Sequence, residues 1–158
     1  MGLAAASGSE SVMKTRPKIA LFQCQWCLYS ESDQDWVDHQ LPPSIHLIKT
    51  SCTGRINPLY ILNAIQGGVD GIVISGCLPE KCHYKEGNLS AVRQHEAFLG
   101  LLDYIGYERE RVRFLWLDLQ DRGRIQRELA DFEVFLEELQ PTNTLATRVS
   151  ETIGGLNG

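Results

Sequence analysis

Lys18-Ile-Ala-Leu-Phe-Gln-Cys-Gln-Trp-Cys27 decides the fold. An apolar run of strand length breaks off there at a cysteine pair, and the same succession recurs twice along the chain. Ile45-His-Leu-Ile-Lys-Thr50 leads to Cys52, and Val69-Asp-Gly-Ile-Val-Ile74 leads to Cys77 and Cys82. Short β-branched and apolar runs of this kind read as buried strands. Parallel neighbours have their carboxyl ends along one edge of the sheet, where open α/β folds place ligands. All five cysteines of the chain are therefore predicted to converge on one site.

The segments between the strands carry helix signals. Tyr29 to Gln40 is polar and reads as a short exposed helix stopped by Pro42-Pro43, because proline removes a donor and restricts its predecessor. Asn57-Pro58 is a cap followed by a first-turn proline. The helix it opens has Leu59, Leu62 and Ile65 as its apolar face and ends at Gly67-Gly68. After the third strand, Gly76 to Gly87 reads as a long loop. A helix beginning at Asn88 or Ser90 shows Val92, Leu99, Leu102 and Ile105 as a stripe and closes at Gly106. A fourth strand, Val112 to Leu117, and a last helix bearing Ile125, Leu129, Phe132, Leu136 and Leu139 complete the series. This alternation predicts a single doubly wound α/β domain with a four-stranded parallel sheet and right-handed crossovers. The domain is expected over residues 17–140, between flexible tails at 1–16 and 141–158.

Composition narrows the class of partner. With 158 residues, 43% of them hydrophobic, the chain suffices for one cored domain. A net charge of -5 and the lack of a Lys/Arg cluster argue against nucleic acid or an anionic membrane surface. No apolar stretch approaches the roughly 18 residues of a membrane span, and residues 1–10 lack the features of a secretory signal. A cytoplasmic, reducing setting is expected, where clustered cysteines serve metals or catalysis more often than disulfides.

Three chemistries suit such a cluster. Zinc takes four ligands and often organises small loop-built modules; a domain with its own core does not need it to fold. A thioredoxin-like pair needs only Cys24 and Cys27 and leaves Cys52, Cys77 and Cys82 unemployed. A 2Fe-2S cluster takes four thiolates and uses most of the set, with Gly54, Gly76 and Gly87 letting backbone N–H groups approach sulfur. Spacing does not separate iron from zinc.

Cys24-Gln-Trp-Cys27, Cys52-Thr-Gly-Arg55 with Pro58, and Gly76-Cys-Leu-Pro-Glu-Lys-Cys82-His-Tyr84 with Glu86-Gly-Asn88 together resemble the delta subunit of methyl-viologen-reducing hydrogenase. The resemblance runs from about Lys18 to Leu139 and takes in the Glu108-Arg109 to Trp116 region. It implies a small iron-sulfur subunit that carries a 2Fe-2S cluster on four of Cys24, Cys27, Cys52, Cys77 and Cys82 and performs no bond-making chemistry. By the same resemblance it relays electrons from a hydrogenase, or in some systems a formate dehydrogenase, to a heterodisulfide reductase A-like flavoprotein. A thiol-disulfide oxidoreductase and a zinc-stabilised interaction domain are the rival readings.

Neighbouring residues carry further expectations. His83, beside Cys82, is a candidate ligand or hydrogen-bond donor to sulfur. Arg55 and Lys81 are candidates to offset cluster charge, and Trp26 to shield the site from water. Trp116 reads as core, and the acidic run Glu128 to Glu138 as the wet face of the last helix.

Overall fold

Four apolar runs form four parallel strands: β1 (Ile19–Cys24), β2 (Ile45–Thr50), β3 (Gly71–Cys77) and β4 (Val112–Leu117), in the order β2-β1-β3-β4. The structure, a computed structural model, describes residues 16–27, 30–117 and 119–139. Apart from Arg16, the two expected tails lie outside the described residues. In register, Leu21 stands between Leu47 and Val73, and Ile74 opposite Phe114. The chain leaves β1 for β2 on one side and later returns to β3 on the other. The carboxyl ends of β1 and β3 therefore flank the point where the winding reverses, the usual crevice of a doubly wound sheet.

Helices cover both faces. Ile19, Leu21 and Val73 pack against Val37 of α1 (Glu31–Gln40) and against Ile125, Leu129, Phe132 and Leu136 of α4 (Arg122–Glu138). Ala20, Phe22, Ile72 and Ile74 meet Ile61 and Ile65 of α2 (Pro58–Gln66) and Phe98 and Leu102 of α3 (Gly87–Tyr104). Alternation along β1 and β3 thus divides the core into two layers, as a sheet buried on both faces requires.

Local chemistry sets the helix starts. Ser30 and Asp33 form a reciprocal capping box on α1. The Asn57 side chain accepts from the Leu59 N–H at 2.9 Å, with Pro58 in the first turn. Asp121 accepts from the Arg124 N–H at 3.0 Å. Arg122 reaches Asp33 at 2.7 Å, tying the first turns of α4 and α1 together beside the carboxyl edge.

Several details differ from the sequence reading. Cys24 and Cys77 are the last residues of their strands rather than loop residues. The α2 face that enters the core carries Ile61 and Ile65, with Leu62 packed against them, while Leu59 and Tyr60 are exposed. Helix α3 starts at Gly87 and buries Asn88, Ala91, Phe98 and Leu102. Trp116 is half-buried, because β4 is an edge strand, and it packs edge-on against Phe114. The α4 acids run along exposed and half-buried positions. Among the described residues, no helix is long and apolar enough to cross a membrane.

Candidate metal centre

The sheet delivers the thiols to one edge. β1 ends at Cys24, and a 3₁₀ turn over Gln25–Cys27 folds the chain back so that Cys27 joins it. β3, the neighbour of β1, ends at Cys77. The sulfurs of Cys24, Cys27 and Cys77 all lie within 4.8 Å of one another, and all three side chains are buried. Cys27 Sγ and Cys77 Sγ are 2.6 Å apart, inside van der Waals contact but beyond the roughly 2.05 Å of a disulfide bond.

Cys52 and Cys82 stand together at the head of α3. Cys52 is buried at the start of a 3₁₀ turn, Thr53–Arg55. Cys82 is half-buried on the loop between β3 and α3. Both sulfurs face Gly87: a Cβ built there would stand 2.5 Å from Cys52 Sγ and 3.4 Å from Cys82 Sγ. Only glycine lets the start of α3 pass this close to two sulfurs. All five cysteines carry free thiols.

The electrostatics are those of thiols crowded around one charge. Hydrogen bonds from the Cys27 and Cys77 side chains, then from the Trp26 and Cys27 N–H groups, bring the Cys24 thiol down to about 3 against the effect of burial. Cys27 is pushed up, first by its bond to Cys24. Cys77 is raised to about 12, again chiefly through Cys24. Burial raises Cys52, opposed by the Gly54 N–H and by the charge of exposed Arg55. The Cys24 thiolate is favoured while Cys27, Cys52 and Cys77 hold their protons more tightly, a set that a bound cation would help to ionise.

The loop bearing Cys82 is pinned at several points. Asn88, 2% exposed, donates through Nδ2 to the carbonyls of Cys77 at 3.0 Å and Leu78 at 2.9 Å. It staples the head of α3 to the end of β3. Lys81 N–H bonds Leu78 O and Lys85 N–H bonds Cys82 O, forming two turns. Glu80 and Lys85 both adopt φ of 65°, uncommon for residues with a side chain and concentrated at functional loops.

An aromatic cap spans the two cysteine loops. Trp26 and His83 stack with centroids 3.6 Å apart and planes 7° from parallel. Trp26 Nε1–H donates to the Tyr84 hydroxyl at 3.1 Å. Trp26 is half-buried, whereas His83 and Tyr84 are exposed, as is Lys81. The bonds of Asn88 and the contacts of His83 and Tyr84 with Trp26 are ones that the sequence reading missed, although Trp26 itself is the expected shield; asparagine at a helix start signals only a cap. Gly76 also has a different role from the one expected, since a Cβ there would meet the Phe114 ring at 2.6 Å. It makes room for an aromatic side chain.

Five soft thiols, four of them buried, with backbone N–H groups directed at Cys24 and Cys52, make a donor set suited to iron-sulfur or zinc. A family model described as methyl-viologen-reducing hydrogenase, delta subunit, matches residues 19–140. The iron-sulfur D subunit of the vhc F420-non-reducing hydrogenase of Methanococcus voltae is 38% identical over 126 residues, which is 79% of this chain and 88% of that protein. The D subunit of the Archaeoglobus profundus enzyme is 32% identical over 126 residues and 92% of its own length. The same 79% of this chain is 33% identical to part of the A subunit of ferredoxin:CoB-CoM heterodisulfide reductase of Methanosarcina mazei, spanning 16% of that longer protein.

Proposed function

The chain belongs to the methyl-viologen-reducing hydrogenase delta-subunit family, and from that membership we propose that it is a non-catalytic electron-transfer subunit holding one 2Fe-2S cluster. The observation that supports the proposal is the buried triad Cys24, Cys27 and Cys77 at the crevice between β1 and β3, with Cys52 and Cys82 both facing Gly87 at the head of α3. Four of Cys24, Cys27, Cys52, Cys77 and Cys82 are its ligands. The bound cluster supplies one-electron redox chemistry at a potential set by hydrogen bonds to sulfur and by exposure. The chain itself contributes thiolates, the N–H groups of Trp26, Cys27 and Gly54, and an aromatic cap that limits water.

The proposed partners are a hydrogenase or a formate dehydrogenase on the donor side and a heterodisulfide reductase A-like flavoprotein on the acceptor side. Relatives named as hydrogenase subunits support the first. The match within the A subunit of heterodisulfide reductase supports the second, since there the equivalent stretch shares a chain with the rest of that longer protein. The working unit is one domain over residues 17–140, in the cytoplasm. Formate dehydrogenase rests on the family resemblance alone.

One observation favours a second reading. Three buried thiols gathered within 4.8 Å of one another are also most of the four-ligand donor set of a zinc site. Iron, zinc and acid-labile sulfide per chain, measured after anaerobic purification, separate the two. A brown protein with about two irons and two sulfides supports the cluster; a colourless one with zinc overturns it.

A further inference from the structure

The five sulfurs divide into a set of three and a set of two. Cys24, Cys27 and Cys77 form the compact triad, and Cys52 and Cys82 stand together against Gly87. Each iron of a 2Fe-2S cluster gives two of its positions to bridging sulfide and offers the other two to protein thiolates. Four ligands drawn from this arrangement are either three from the triad and one from the pair, or two from each. Since one iron accepts two thiolates, the first choice makes the compact triad spread over both irons. The second keeps each set on one iron.

Resting on the cluster reading above, we infer that Cys52 and Cys82 together hold one iron, that two of the triad hold the other, and that the surplus thiol is a triad member. Cys52, which by sequence stands alone on its loop, is thereby a ligand and not a spare. Gly87 becomes a positioning residue: its missing side chain lets Cys52 and Cys82 meet across the head of α3, and Asn88 next to it fixes that head to the carbonyl of Cys77. The triad's redundancy has a geometric basis too, since each of its members has two sulfurs within 4.8 Å that remain after it is removed.

The test uses the full chain purified anaerobically, with iron content and the spectrum of the reduced protein as readouts. In Cys52→Ser and Cys82→Ser, iron falls at least twofold or the paramagnetic signal changes shape. At least one of Cys24→Ser, Cys27→Ser and Cys77→Ser keeps wild-type iron and an unshifted signal. Gly87→Ala loses iron at least twofold while all five cysteines remain. Cys82 is half-buried and belongs to neither core layer, so its replacement answers the question even if Cys52→Ser does not fold. Wild-type iron and signal in Cys52→Ser or Cys82→Ser, or loss in all three triad variants, overturns the pairing. Absence of iron and sulfide from the wild type instead overturns the cluster reading on which the pairing rests.

Discussion

Replacing Asn88 tests whether the head of α3 is fastened to the cysteine edge as described. Its Nδ2 makes both hydrogen bonds to the Cys77 and Leu78 carbonyls, while its Oδ1 accepts from the Leu89 N–H at 2.8 Å. Asn88→Asp keeps the acceptor and the shape but removes the donor, leaving two carbonyl oxygens facing a carboxylate. A carbonyl that loses a buried partner is destabilised by about 1–3 kcal/mol. With some relief from water at the loop side, the two together amount to roughly 2–4 kcal/mol, a sizeable share of the 5–15 kcal/mol of a typical domain. For a chain of this size that corresponds to a midpoint lowered by roughly 5–15 °C. Urea unfolding followed by circular dichroism reads the difference, with Asn88→Ala as a second variant that removes donor and acceptor alike. A loss under about 0.5 kcal/mol in Asn88→Asp would refute the staple.

Three further outcomes follow from the same geometry. Gly76→Ala drives a methyl into the Phe114 ring and destabilises by about 1–3 kcal/mol, yet leaves iron content at the wild-type value; loss of iron without loss of stability would return Gly76 to the sulfur site. Burial holds His95 below its usual range, so the unfolded chain takes up its proton first as pH falls and stability declines below about pH 6.5. His95→Gln should flatten that part of the profile in thermal melts between pH 7 and 5, and an unchanged slope would contradict the assignment. Trp26→Ala removes both the stack on His83 and the bond to Tyr84; the visible colour of the protein should then bleach several-fold faster in air, and equal rates would deny the cap a shielding role.

The strands were legible because each is a dense apolar run that ends at a turn residue, and a sheet covered on both faces demands that pattern. The meeting of Cys24, Cys27 and Cys77 was legible for the same reason: the carboxyl ends of neighbouring parallel strands share one edge of the sheet. What failed depended on neighbours remote in sequence. Leu59 matches the helical period as well as Ile61 does, and only the position of α2 over the sheet decides which one is buried. Trp116 reads as core until β4 proves to be an edge strand. Asn88 meets carbonyls ten and eleven residues away, a contact that no local spacing encodes. Glu80 and Lys85 adopt left-handed conformations that glycine or asparagine would have signalled and these side chains conceal.

At the centre stands the proposal that these thiols hold a cluster able to accept one electron. Electron paramagnetic resonance of the anaerobically purified chain after dithionite reduction tests it most directly. The expected spectrum is a low-temperature signal from coupled ferric and ferrous iron, integrating to about one spin per chain and absent before reduction. A silent spectrum in a folded protein that contains zinc would contradict it.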